Sequence, residues 1–82
     1  MNMDTKELKK ITEKYSFEQL ESCIHQQLAK GKNACDVIDT DDEVIAALSK
    51  AEVVREQMDQ GKTFSEALRE LGRRIRAVYG KE

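Results

Sequence analysis

The chain has no proline and no tryptophan, and its 82 residues include only four aromatic side chains, Tyr15, Phe17, Phe64 and Tyr79. Without proline one class of helix breaker is gone, and glycine is left as the main punctuation. Without tryptophan the core must be built from Leu, Ile, Val, Ala and Met, with those few rings added. Histidine is almost absent too. His25, Cys23 and Cys35 are the only soft or imidazole ligands, whereas a structural zinc site usually wants four. On a regular helix Cys23 and His25 lie about 200° apart around the axis and cannot reach one ion from the same face. A thiol or metal site built from Cys23, His25 and Cys35 is therefore a weak alternative, and the expectation is no metal and no cofactor.

Other absences narrow the function further. There is no second histidine, no nucleophile beside a base and no glycine-rich phosphate loop, so the catalytic-triad and P-loop templates find nothing to fit. No enzymatic activity is expected. No apolar run approaches the length of a membrane span, and Met1-Asn2-Met3-Asp4 lacks the basic and apolar regions of a signal peptide. The expectation is a cytoplasmic protein without membrane contact, with Cys23 and Cys35 both present as thiols.

What the chain does contain is charge and periodicity. Charged residues make up 37% and hydrophobic residues 39%, yet the net charge is only −2, which together with helical spacing reads as globular. A chain this short buries only about 60–65% of its unfolded surface, so association with a second copy would supplement its core. The whole of 1–82 is expected to be a single all-α domain, a small antiparallel helical bundle of three main helices plus a short N-terminal helix.

Four capping boxes mark the helix starts: Asp4 with Glu7, Ser16 with Gln19, Thr40 with Glu43 and Thr63 with Glu66. Gly31, Gly61 and Gly80 mark the stops. The first helix, 5–14, has only Leu8 and Ile11 as firm apolar positions, with Tyr15 at its end, and should be weakly docked. The second, 17–30, carries Phe17, Leu20, Ile24 and Leu28 on one stripe, with Cys23 beside it. A short turn of helix is expected at 34–38, started by Asn33. The third helix, 41–60, is the central strut, burying Val44, Leu48, Ala51, Val54 and Met58 with Ala47. The fourth, 64–79, places Phe64, Leu68, Leu71, Ile75 and Val78 at spacings of four, three, four and three, a seam that packs against the third.

The corner Gln57-Met58-Asp59-Gln60-Gly61-Lys62-Thr63 echoes Gln27-Leu28-Ala29-Lys30-Gly31-Lys32-Asn33 thirty positions earlier. Any glycine stop followed by a polar cap resembles another, so the echo does not establish a repeat, but both corners fold consecutive helices back on each other. Gly61-Lys62-Thr63 also matches the end of a phosphate loop. Such a loop needs a glycine where Glu56 stands and a preceding strand, so the corner is a helix end and start.

Charge is the most usable functional clue. Residues 36–60 carry −6 and residues 61–82 carry +3. The acids Asp36, Asp39, Asp41, Asp42 and Glu43 do not make a calcium loop, because an EF-hand starting at Asp39 would need Gly at Val44 and Glu at Lys50. Helix capping and the macrodipole account for them. The basic side is Arg69, Arg73, Arg74 and Arg76, four arginines without a lysine, which suits bidentate contact with carboxylate or phosphate. Leu68-Arg69-Glu70-Leu71-Gly72 resembles the corner of a helix-turn-helix, but the apolar phasing runs on to Val78, so one uninterrupted helix is expected. The function these features favour is a protein–protein interaction or regulatory module, with self-association among its forms. Nucleic-acid or phosphate-ligand binding through Arg69, Arg73, Arg74 and Arg76 is the alternative.

Overall fold

The structure, a computed structural model, describes residues 5–79, with side chains through residue 76. Four helices follow one another, α1 (Thr5–Lys14), α2 (Phe17–Lys30), α3 (Asp41–Asp59) and α4 (Phe64–Tyr79), and no strand occurs among the described residues. The helix starts form as their capping residues dictate. Ser16 and Gln19 make both halves of a capping box, as do Thr63 and Glu66, and the Thr40 hydroxyl accepts from the Glu43 amide. Gly31 ends α2 at φ 74° and Gly61 lies in the following corner at φ 98°, a region where a β-carbon would be strained. Asp4 and Gly80 lie outside the described residues, as do the side chain of Val78 and any contact of Met3.

The third helix is the hub. It packs against α1, α2 and α4, while those three meet one another little. The arrangement is a flattened all-α bundle with Cα extents of 34 × 32 × 19 Å. Val44, Ala47, Leu48, Ala51 and Val54 of α3 are buried, facing Leu8 of α1, Leu20 and Cys23 of α2, and Ala67 and Leu71 of α4. Met58 is only half-buried. The buried position in that turn is Gln57.

Three expectations are corrected. Leu28 is 71% exposed, because α2 buries Leu20, Cys23 and Gln27 instead and the apolar stripe is rotated by part of a turn. No helix forms at 34–38. Asn33 does cap this segment, but as a turn: its Oδ1 accepts from Cys35 N at 2.9 Å and Val37 N at 3.4 Å, and Asp36 takes a left-handed φ of 59° that no helix continues. The first helix is more firmly seated than its charge suggests. Leu8 and Thr12 are buried, Thr12 bonds back to Leu8 O and Lys9 O, and Arg55 of α3 donates to Thr12 O at 2.6 Å.

Candidate interaction surface

The arginines of α4 are placed by the continuous helix that the apolar phasing implied. At ~100° per residue, Arg69, Arg73 and Arg76 fall within ~60° of one another on the side away from the apolar seam, whereas Arg74 lies on the other flank. The four do not form one face. Arg73 and Arg74 converge on the carboxylate of Glu70: Arg73 Nη2 donates to its two oxygens at 2.8 and 2.7 Å, and Arg74 Nε donates at 3.2 Å. The Arg73 hydrogen bonds and, less strongly, those of Arg74 hold the Glu70 carboxyl below its ordinary range. Among the described residues the carboxylate these two arginines meet is Glu70 of their own helix. Arg69 and Arg76 make no ion pair among the described residues.

The two halves of α4 differ in what they touch. Ala67 and Leu71 are buried against α3, and beyond Leu71 the side chains of Arg73, Arg74, Ile75 and Arg76 are exposed. Ile75, the fourth residue of the expected seam, is 36% exposed. It lies on the seam side, roughly 100–160° around the helix from Arg69, Arg73 and Arg76, whose fork-shaped donors suit carboxylates.

Two clusters were not apparent from spacing. The carboxyl groups of Glu21 of α2 and Glu52 of α3 lie close enough to perturb each other, and Glu52 Oε2 is buried without a hydrogen-bond partner among the described residues. Burial first, then the hydrogen bond to Glu21 and the charges of Glu21 and Glu56, push Glu52 up to about 7, while Glu21 is held lower by Glu52 and by His25, whose Nε2 lies 3.1 Å away. No three His, Cys, Asp or Glu residues among those described are arranged to hold a metal ion. The second cluster is polar. Gln27, 4% exposed, donates to Asp41 Oδ1 at 2.6 Å and accepts from Asn33 Nδ2 at 2.9 Å, joining α2, the connection and the start of α3. Its counterpart in the echo, Gln57, is 3% exposed and its amide oxygen accepts from Lys62 Nζ. The recurring Gln was the available signal for both.

The expectation of two thiols is overturned: Cys23 and Cys35 are joined by a disulfide that spans 12 positions and ties α2 to the connection. Neither sulfur is a free metal ligand, and the set Cys23, His25 and Cys35 does not come together, since His25 points to Glu21 on the exposed side of α2. The periodic stripe placed Cys23 near the core; nothing in the spacing brought Cys35 to it.

The fold and surface define a small all-α protein with a stripe of exposed arginines on its last helix. The chain matches the model of DUF6952, a family of unknown function, over residues 3–78, and belongs to that family. No curated protein and no solved structure matches it. No helix of the described residues is long and apolar enough to cross a membrane.

Proposed function

We propose that this protein is a non-enzymatic interaction module that uses the outward side of α4, centred on Arg69, Arg73 and Arg76, to dock an acidic protein surface. The observation that carries this reading is the two-sidedness of α4: Ala67 and Leu71 hold the helix against α3 while Arg69, Arg73 and Arg76 are exposed on its opposite side. Arginine forks favour carboxylates in such a place.

The acidic surface the chain itself offers is residues 36–60, which carry −6. A second copy is accordingly the first partner of this reading, with α4 of one copy set against the connection and α3 start of the other. Sedimentation velocity across a concentration series at low and high salt tests it. Association at tens of micromolar that weakens with salt and disappears in R69E/R73E/R76E is expected, and a strictly monomeric particle at high micromolar concentration and low salt would remove self-association. A mobility shift of duplex DNA or RNA at low salt, lost in the same variant, would instead support the nucleic-acid reading. The same proposal sets the protein in the cytoplasm, which cell fractionation tests.

A further inference from the structure

The disulfide is buried, with Cys23 3% and Cys35 4% exposed, but its two residues differ in what lies next to them. Cys23 sits on α2 within the core beside α3. Cys35 instead lines a cleft of ≈ 240 Å³ between α1 and the connection, walled by Ile11 and Tyr15 and rimmed by Lys10 and Lys14. Lys14 Nζ lies 5.4 Å from the Tyr15 ring centroid, at the mouth of this cleft. Glu7 and Asp36 complete the rim, so charges of both signs surround the only route to the bond that the cleft provides.

We propose that Cys23–Cys35 is a redox-operated clasp on the 31–40 connection, opened by a zwitterionic amino-acid or small-peptide thiol that enters this cleft and attacks Cys35. The incoming thiolate bonds to Cys35 Sγ, and the Cys23–Cys35 bond breaks with its electron pair on Cys23 Sγ, which takes a proton from solvent. A second thiolate then attacks the sulfur of the small molecule in the mixed disulfide. It leaves as the small-molecule disulfide and frees Cys35, so that two external thiols are oxidised while the protein gains two thiols. Lys10 and Lys14 favour both the thiolate and the carboxylate of the reagent, and a low-dielectric wall of Ile11 and Tyr15 strengthens that attraction.

What opening releases is defined by the remaining contacts. The connection contains no helix, and apart from the disulfide it is tied to α2 by Asn33 Nδ2 donating to Gln27 and Ala34 N donating to Gln26 Oε1, with Val37 packed against the core and Asn33 bonding internally to Cys35 and Val37. Reduction leaves those bonds and the α2–α3 core in place while removing the one covalent tie, so the effect is local to 33–38. Ile38, 91% exposed, and the carboxylate of Asp36 lie in that segment, and their arrangement is expected to change with the redox state.

Mass spectrometry of the oxidised protein, treated with cysteine and quenched with iodoacetamide, tests the site of attack. The expected early product carries cysteine on Cys35 and the alkyl group on Cys23; the reverse labelling overturns the proposal. Hydrogen exchange in the oxidised protein and after dithiothreitol tests the clasp: amides of Cys35 and Val37 are expected to exchange about tenfold faster after reduction with those of α3 unchanged. Equal exchange in both states, or two thiols that stay alkylatable in the folded protein under excess oxidised cysteine, overturns it as well. The double variant K10Q/K14Q, altered only at exposed positions, is expected to slow opening by cysteine several-fold relative to uncharged 2-mercaptoethanol, and an unchanged ratio would remove the role given to the rim.

Discussion

Glu52 shows how one side chain can make the stability of this bundle depend on pH. Its carboxyl is lifted from 4.5 to about 7 by burial, by the hydrogen bond to Glu21 and by the charges of Glu21 and Glu56. A carboxyl whose folded value is raised favours the folded state while it is protonated. Below about pH 4.5 both folded and unfolded chains hold the proton; between 4.5 and 7 the unfolded chain gives it up first, so stability falls as pH rises through that window. Glu21, held low by its partners, acts in the opposite sense but below 4.5, where its protonation removes the acceptor. Denaturation by urea at pH 5 and pH 8 is expected to show a less stable protein at the higher pH. In Glu52→Gln, whose amide can still donate to Glu21, that slope flattens and the protein gains on the order of 1 kcal/mol at pH 8. A wild-type stability that rises from pH 5 to 8 would show that Glu52 is ionised throughout.

At the scale of elements, α4 carries a separate weakness in Gly72. The helix runs through it without interruption, and a β-carbon placed there would meet only the far end of Arg76, Nη1 at 3.6 Å, an ordinary contact. Close approach of another helix is therefore not its reason for being there. Gly72→Ala is expected to raise stability by about 1 kcal/mol through helix propensity, read as a higher urea midpoint with an unchanged slope; a lower midpoint would mean that α4 bends at this point. The four helices themselves were legible because caps, glycines and apolar spacing agreed on the same boundaries. The rotation of α2 was not. Its buried line passes through Gln27 instead of Leu28, because burying the glutamine lets one side chain satisfy both Asn33 and Asp41, a gain visible only once α3 has folded back. Thr12 escaped notice for a similar reason: its hydroxyl is satisfied within its own helix, so a residue counted as polar occupies the interface with α3. The arginines of α4 could be found from composition, but the engagement of Arg73 and Arg74 by Glu70 depended on side-chain geometry that spacing alone does not give.

For the whole molecule, the decisive long-range tie is the one composition argued against. Two cysteines, too few for a disulfide scaffold, were expected as thiols, yet the corner at Gly31 and the Asn33 turn bring Cys35 back to α2, beside Cys23. The closed loop is short, and the chain-entropy argument assigns its closure about 3 kcal/mol. That is a large share of the stability a small domain ordinarily has, about 5–15 kcal/mol. Comparing oxidised with reduced wild-type protein isolates this contribution, because no atom other than the two thiol hydrogens changes. The urea midpoint is expected to fall on reduction by an amount equivalent to about 2–4 kcal/mol. Replacing both cysteines by alanine should cost somewhat more, since it also removes two buried sulfurs from a core of Leu20, Val44 and Leu48. A loss under about 1 kcal/mol on reduction would have a definite meaning: the Gln27–Asn33–Asp41 network would already restrict the connection in the unfolded ensemble or hold it fully in the folded one. The variant Asn33→Ala, measured in both redox states, separates these terms. If disulfide and network hold the same segment in parallel, the two losses together exceed the sum of each alone, because each tie limits how far the segment opens when the other is lost.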